Sequence, residues 1–252
     1  MLCLKGQCLS ESASDRHCRP EMLLTETDTP RFYNACLKQP FASRHNLRRQ
    51  HMKTFTLYTV NPSRGSMIRW MLEECGADYD TVTLSLGADL KTPEYLAVNP
   101  MGKVPALKHK GETFTETAAI LTYLAEQFPE KHLIPEAGSV ERGQYYRWLC
   151  FSLHLEYAAM DKWRGISNND MQRQAIGYGD LDTALNTLRR HLQGREYMVG
   201  NRFSALDIYY SGLLEWLIAY AQIIPAEPVF TEYMSRHLVR PSFARVQELE
   251  KQ

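Results

Sequence analysis

Three short runs place polar groups where a fold could use them. "NPSRGS" (61–66) sets Ser63, Arg64 and Ser66 between a β-rich stretch and a helical one. Hydroxyl donors and the free N–H groups of a helix start both favour an anion. "NPMGKVPALKH" (99–109) sets Pro105 among Val104, Ala106 and Leu107, which otherwise look like the start of a strand. Proline brings no N–H to a ladder, so sheets confine it to edges, strand starts or bulges. Pro105 marks either a plain loop-to-strand transition or an edge kept open for something else to pair with. Glu116 and Thr117 precede a helix expected from Ala118. Thr117 can cap that helix, and its hydroxyl lies with the free N–H groups of a helix start beside the Glu116 carboxylate. The plainer alternative is that Glu116 complements the helix dipole and Thr117 only caps.

The elements that must hold these runs follow from periodicity. "TFTLYTV" (54–60) is β-branched and aromatic and reads as a strand. Ile68, Met71, Leu72 and Cys75 recur at helical spacing from Ser66, and Gly76 supplies the stop. "YDTVTLSL" (79–86) alternates as a second strand, and "TPEYLAVNP" is a short helix or turn. "VPALKH" and "ETFTE" form a hairpin around Lys110-Gly111, and the helix "TAAILTYLAEQF" carries Ile120, Leu121, Leu124 and Phe128 on one stripe. The order β-α-β-α-β-β-α demands a parallel pair and an antiparallel edge. "FPEKHLIPEAGS" is a linker, and after Val140 the period is 3.6 almost throughout. A small α/β domain over 52–129 and an all-helical domain over 139–252 are expected. Within the latter, Ser204 and Asp207 form a capping-box variant, with Phe203 and Ile208 as a hydrophobic staple. The helix behind them, with Leu206, Leu213, Leu214, Leu217 and Ile218, is apolar nearly all round and is expected at the centre. Ser204 and Asp207 are therefore read as structural.

Composition narrows the function classes. Lys+Arg and Asp+Glu both number 29 in the 252 residues, so nothing electrostatic points to nucleic acid or an anionic membrane surface. No apolar run is long enough to span a bilayer. The six cysteines form no CxxC pair, which suits a reducing, cytoplasmic setting; Cys75 and Cys150 are expected as small buried apolar residues. Residues 1–51 carry no sustained period and are expected to be a disordered extension, with Met52 as a possible natural first residue. A presequence fits poorly because of Glu11, Asp15, Glu21, Glu26 and Asp28. A zinc site from Cys3, Cys8, His17 and Cys18 lacks standard ligand spacing, and no metal is expected.

"LYTVNPSRGSMIRWMLEECG", "NPMGKVPAL", "ETAAILTYLAEQFP" and the capped "FSALDIYY", in that order, resemble the cytosolic glutathione transferases, most of all the bacterial and theta-like branches that use serine. The match runs from about Lys53 to the C-terminus. It implies a thioredoxin-like α/β N-terminal domain, an all-α C-terminal domain and a homodimer. It implies glutathione as co-substrate and a small hydrophobic electrophile as its partner, in detoxification chemistry.

The resemblance also assigns roles. It implies a cis Val104–Pro105 bond and pairing of the Val104 backbone with glutathione as a short added strand. Glu116 and Thr117 would meet the γ-glutamyl end, and Lys103 the glycine carboxylate, unless it is only a surface lysine. A free thiol has a pKa of about 8.5, so hydrogen bonds and a helix N-terminus are needed to form the thiolate. Ser63 is the first choice of donor and Ser66 the second, with an N-cap role for Ser66 at least as well supported; Arg64 could add positive charge. The turn holds no cysteine, against disulfide exchange as the main activity, and the doubled serine-cysteine pattern of the maleylacetoacetate isomerase branch is absent. Tyr157, Met160 and Trp163 could wall the electrophile site, but such a stripe reads more simply as core. Two other outcomes stay open: a non-catalytic binding module of the same fold, or a glutathione-dependent lyase, dehalogenase or peroxidase.

Overall fold

The computed structural model describes residues 54–251. The expectations placed on residues 1–51, including the extension and the zinc alternative, lie outside the described residues.

Strand β1 (Phe55–Thr59) buries Phe55, Leu57 and Thr59 and leaves Thr56 and Tyr58 half-covered, the alternation of a strand at the centre of a sheet. Helix α1 (Gly65–Cys75) follows and stops at Gly76, whose φ of 66° lets its N–H turn back to the Leu72 and Glu73 carbonyls. Strand β2 (Tyr79–Thr83) runs parallel to β1. It is shorter than the alternation over 79–86 predicts. The Leu84 N–H makes one more bond, to the Thr59 carbonyl at 2.8 Å, and residues 85–88 are then exposed. A 3-10 turn (Asp89–Lys91) and helix α2 (Pro93–Leu96) lead to the hairpin of β3 (Ala106–His109) and β4 (Glu112–Thr115). Helix α3 (Thr117–Gln127) closes this half. The strand order is β2-β1-β3-β4, with β3 antiparallel to both neighbours: a thioredoxin-like mixed sheet.

The helical half comprises α4 (Val140–Trp163), α5 (Asp170–Ala175), α6 (Leu181–Leu192), α7 (Ala205–Glu215) with a π-helical turn at Trp216–Tyr220, α8 (Pro228–Leu238) and α9 (Pro241–Leu249). As its all-round apolarity predicts, α7 is central and packs on α1, α3, α4 and α8. One buried cluster runs from Phe55 to Val246, so the sheet half and the helical half share a core. The segment expected as a plain linker is pinned to it: Leu133 is buried and its carbonyl accepts the Ala205 N–H at 2.8 Å.

The capped start of α7 is structural, and more heavily used than a capping box requires. The buried Asp207 carboxylate accepts from the Ser204 N–H and hydroxyl, the Met198 N–H and the Tyr233 hydroxyl, at 2.6–2.9 Å. Cys75 is buried as expected; Cys150 is not, because its position on α4 faces outward. Tyr157 and Trp163 are likewise 62% and 66% exposed, which overturns the core reading for these two, while Met160 is half-buried.

Candidate functional site

The sheet register gathers the singled-out runs at one end. Tyr58 pairs with Ala106, and Ala106 with Thr115. The turn after β1, the Val104–Pro105 approach to β3 and the Glu116–Thr117 exit from β4 therefore leave the sheet side by side. The N-termini of α1 and α3 open at the same end.

In the first turn the Gly65 N–H donates to Ser63 Oγ at 3.0 Å, and the Ser66 N–H to the Ser63 carbonyl at 3.1 Å. Ser63 is half-buried. Its Oγ lies 3.4 Å from Thr59 Oγ1, which itself donates to the Val60 carbonyl at 3.2 Å. A backbone donor thus occupies one lone pair of the serine, and among the described residues its hydroxyl proton has only a long neighbouring contact. A hydroxyl held this way beside a helix N-terminus can donate to an anion. Asn61 Oδ1, in the same turn, is a buried acceptor with no hydrogen-bond partner among the described residues.

Ser66 does not cap α1. Arg64 occupies the N-cap position in an αR conformation with no side-chain cap bond, and the helix already includes Gly65. The Arg64 guanidinium reaches Glu156 of α4, with Nη2 2.6 Å from Oε2. The Asn61–Pro62 bond is cis, as is Val104–Pro105.

Val104 is half-buried and Pro105 buried, two residues and one residue ahead of the β3 ladder. The turn before them is held by residues the sequence reading did not single out. The Lys103 carbonyl accepts from Tyr95 Oη at 2.5 Å and from Asn99 Nδ2 at 2.7 Å, while Asn99 Oδ1 accepts from the Met101 N–H at 3.1 Å. Gly102 is required there, because a Cβ would lie 2.5 Å from the Leu90 carbonyl oxygen and φ is +59°. The Lys103 side chain is on an exposed residue.

At α3 the capping assignment moves by one residue. Glu116 takes the N-cap position and Thr117 begins the helix, so Thr117 is not the cap; no side-chain cap bond is made. Thr117 is buried, and Glu116 is exposed at φ 66°, ψ 113°, a conformation few non-glycine residues adopt.

Four further residues shape the site without standing out in the sequence: Thr59, Gly65, Glu156 and Tyr209. Gly65 lies within "NPSRGS", and Thr59 meets that turn from four residues before Ser63; Glu156, which pairs with Arg64 and accepts from Tyr209 Oη at 2.5 Å, depends on packing between segments far apart in the chain.

Comparison with known proteins agrees with this architecture. The family model described as "Glutathione S-transferase, N-terminal domain" matches residues 53–126. Glutathione S-transferase GstA of Escherichia coli O157:H7 is 27% identical over 68% of this chain and 86% of that protein. Maleylacetoacetate isomerase of Pseudomonas aeruginosa is 36% identical over 63% of this chain and 77% of that protein. The structure of a sphingomonad glutathione S-transferase complexed with glutathione superposes with a TM-score of 0.63, at 32% identity, over 78% of this chain and 98% of that one. The thioredoxin-like sheet followed by a helical half matches the fold of that glutathione S-transferase structure. The chain belongs to the glutathione S-transferase family.

Proposed function

We propose that this chain conjugates the glutathione thiolate to small hydrophobic electrophiles, with Ser63 as the hydroxyl that donates to the sulfur. The observation that carries the reading is the Gly65 N–H bond to Ser63 Oγ, which fixes the serine oxygen as an acceptor beside the α1 N-terminus and leaves its O–H to donate. Bonding to the charged form and the positive end of a helix both lower a thiol pKa. The thiolate then attacks the electrophilic carbon, the new C–S bond forms, and the leaving group departs with its electron pair.

The remaining assignments use the same sheet end. The Val104 backbone ahead of Pro105 pairs with the peptide-like middle of glutathione. The free N–H groups at the start of α3, with Thr117 and Glu116, hold the γ-glutamyl carboxylate and ammonium. Lys103 meets the glycine carboxylate. Arg64 supports the anion from the N-cap position, and Ser66 is the second choice of hydroxyl donor. No metal takes part in this scheme.

A homodimer is supported by the exposed Tyr146, Leu153 and Tyr157, which fall on one face of α4 and are 45%, 42% and 62% exposed. A cytoplasmic setting is supported by six cysteines in 252 residues with no CxxC pair among them. Among the described residues no helix is long and apolar enough to cross a membrane.

A second reading, glutathione-dependent isomerisation, is favoured by the similarity to the Pseudomonas isomerase, and opposed by the missing serine-cysteine pair. Retention on immobilised glutathione, followed by turnover with aryl halides, hydroperoxides and a cis-diene acid, separates them. Retention with aryl-halide turnover supports conjugation. Diene isomerisation without net glutathione loss supports the second reading, and no retention removes both.

A further inference from the structure

The Arg64 charge is tied to the helical half rather than left in water. Its Nη2 lies 2.6 Å from Glu156 Oε2, and the other oxygen, Oε1, accepts from Tyr209 Oη at 2.5 Å. Glu156 on α4 is 7% exposed and Tyr209 on α7 is 2% exposed, so packing fixes both. The Arg64 side chain is 43% exposed. A bonded path therefore runs from the residue after Ser63 into two helices of the other half.

A carboxylate buried this far is stable only when its oxygens are answered. Here a cation answers one oxygen and a neutral donor the other. The titratable groups that face Glu156 are Arg64 from the first turn and Tyr209 and Tyr210 from α7. Burial pushes both tyrosines well above their ordinary ionisation, so they stay neutral and the arginine supplies the opposite charge. The pair is a dipole whose positive end springs from the serine turn and whose negative end lies among the helices.

We propose that Glu156 is a positioning residue for the transferase reaction: it holds Arg64 against α4, fixes the Ser63–Arg64 turn, and offsets the positive charge that a bound sulfur experiences. This rests on the glutathione and Ser63 assignments above. An arginine beside a thiol lowers the thiol pKa, and a carboxylate paired with that arginine takes part of the effect back. Glu156 thus sets how far down the ionisation of bound glutathione moves. Tyr209 acts one step further out, by fixing the carboxylate.

The test uses Glu156→Gln in the full chain, a change that keeps an oxygen for Arg64 and removes the negative charge. Bound glutathione is titrated by its thiolate ultraviolet absorbance, and the pH dependence of kcat/KM is followed with an aryl halide. The midpoint is expected to fall by about half to one unit in Glu156→Gln, with KM for glutathione little changed. It is expected to rise in Arg64→Gln, where the buried carboxylate is left without its cation. Superimposable profiles, or an upward shift in Glu156→Gln, overturn the proposal. Should Glu156→Gln fail to fold, the surface variant Arg64→Gln decides, and an unmoved midpoint there overturns it equally. Glutathione that binds and ionises with unchanged midpoints sinks the Glu156 role and leaves the transferase reading standing. A parent protein that does not bind glutathione sinks both.

Discussion

A Cβ on Gly65 would lie 1.8 Å from Thr59 Oγ1 and 2.7 Å from Thr59 Cβ. The Thr59 side chain at the end of β1 therefore fills the space that a side chain on Gly65, at the start of α1, would need. With no Cβ in that space, the chain closes the turn with the Gly65 N–H bonded to Ser63 Oγ at 3.0 Å.

Gly65→Ala is therefore expected to destabilise the fold at or above the upper end of the usual overpacking range of about 1–3 kcal/mol, because Thr59 is fully buried and cannot step aside. Thr59→Ala in the same chain is expected to restore part of the loss. Chemical denaturation of the two single variants and the double variant checks this. Additive losses would mean the two residues do not share the space.

Glu116 carries both a strained backbone and an assigned charge, and two substitutions separate them. Glu116→Gly relieves the positive φ and is expected to gain up to about 1 kcal/mol in stability. Glu116→Ala keeps the strain. Both are expected to raise KM for glutathione while kcat at saturation changes little, since the γ-glutamyl end is remote from the sulfur. Initial-rate kinetics at varied glutathione decide, and an unchanged KM would remove Glu116 from the site.

His237 and Asp207 form a buried pair with opposite pH signs, Nε2 being 3.8 Å from Oδ1. Burial, against a hydrogen bond to the Glu196 carbonyl, takes His237 down to about 4. Its stability contribution is complete above the unfolded value of about 6.5 and is lost as pH falls through about 4. Burial takes Asp207 up to about 6, so its contribution grows as pH falls from there toward its unfolded value. The two offset each other. His237→Gln is expected to cost less, relative to the parent, as pH falls from 7 to 4, by up to roughly 3 kcal/mol. Urea denaturation across that range measures the difference, and a constant difference would contradict the assignment.

The C-terminal helix is strapped to the back of α1. Glu74 accepts from Arg240 and Ser242, Ser242 Oγ accepts from Trp70 Nε1 at 3.0 Å, and the Arg240 guanidinium lies 3.9 Å from the Phe203 ring centre. Burial raises the Glu74 pKa, but its bonds to Arg240 and Ser242 outweigh that and leave it below the ordinary value. Arg240→Ala is expected to cost about 1.5–3 kcal/mol at neutral pH. The cost should shrink as pH falls through the carboxylate range, because the stability held by a depressed carboxylate is lost there. Thermal melts at neutral and acid pH test the sign.

What the sequence disclosed and what it withheld divide along contact distance. Local patterns were legible: the stripe of α1 with its Gly76 stop, the Lys110-Gly111 hairpin, and the central α7 with Ser204 and Asp207 at its start. The conjunction of Ser63, Val104 and Glu116 came from family resemblance, and the register Tyr58–Ala106–Thr115 supplies its physical basis. The misses lie where one residue's conformation or a distant partner decides. Thr117 is not a cap because Glu116 adopts a positive φ. Ser66 is not a cap because the helix starts one residue earlier. Cys150, Tyr157 and Trp163 face outward on a 24-residue helix whose weak amphipathicity hid its exposed face. Glu156 is a buried carboxylate in mid-helix that only the fold joins to Arg64.

The account turns on Ser63, and the pH dependence of kcat/KM for Ser63→Ala with glutathione and a reactive aryl halide tests it most directly. A hydrogen bond to a charged group contributes roughly 1.5–3 kcal/mol, so its loss should raise the bound thiol pKa by about one to two units. Ser63→Ala is predicted to lose most of its rate at neutral pH, to recover part of it at alkaline pH, and to bind glutathione nearly as the parent does. Ser66→Ala is predicted to keep the parent profile. A parent-like profile in Ser63→Ala would contradict the account, whether Ser66→Ala shifts in its place or neither variant shifts.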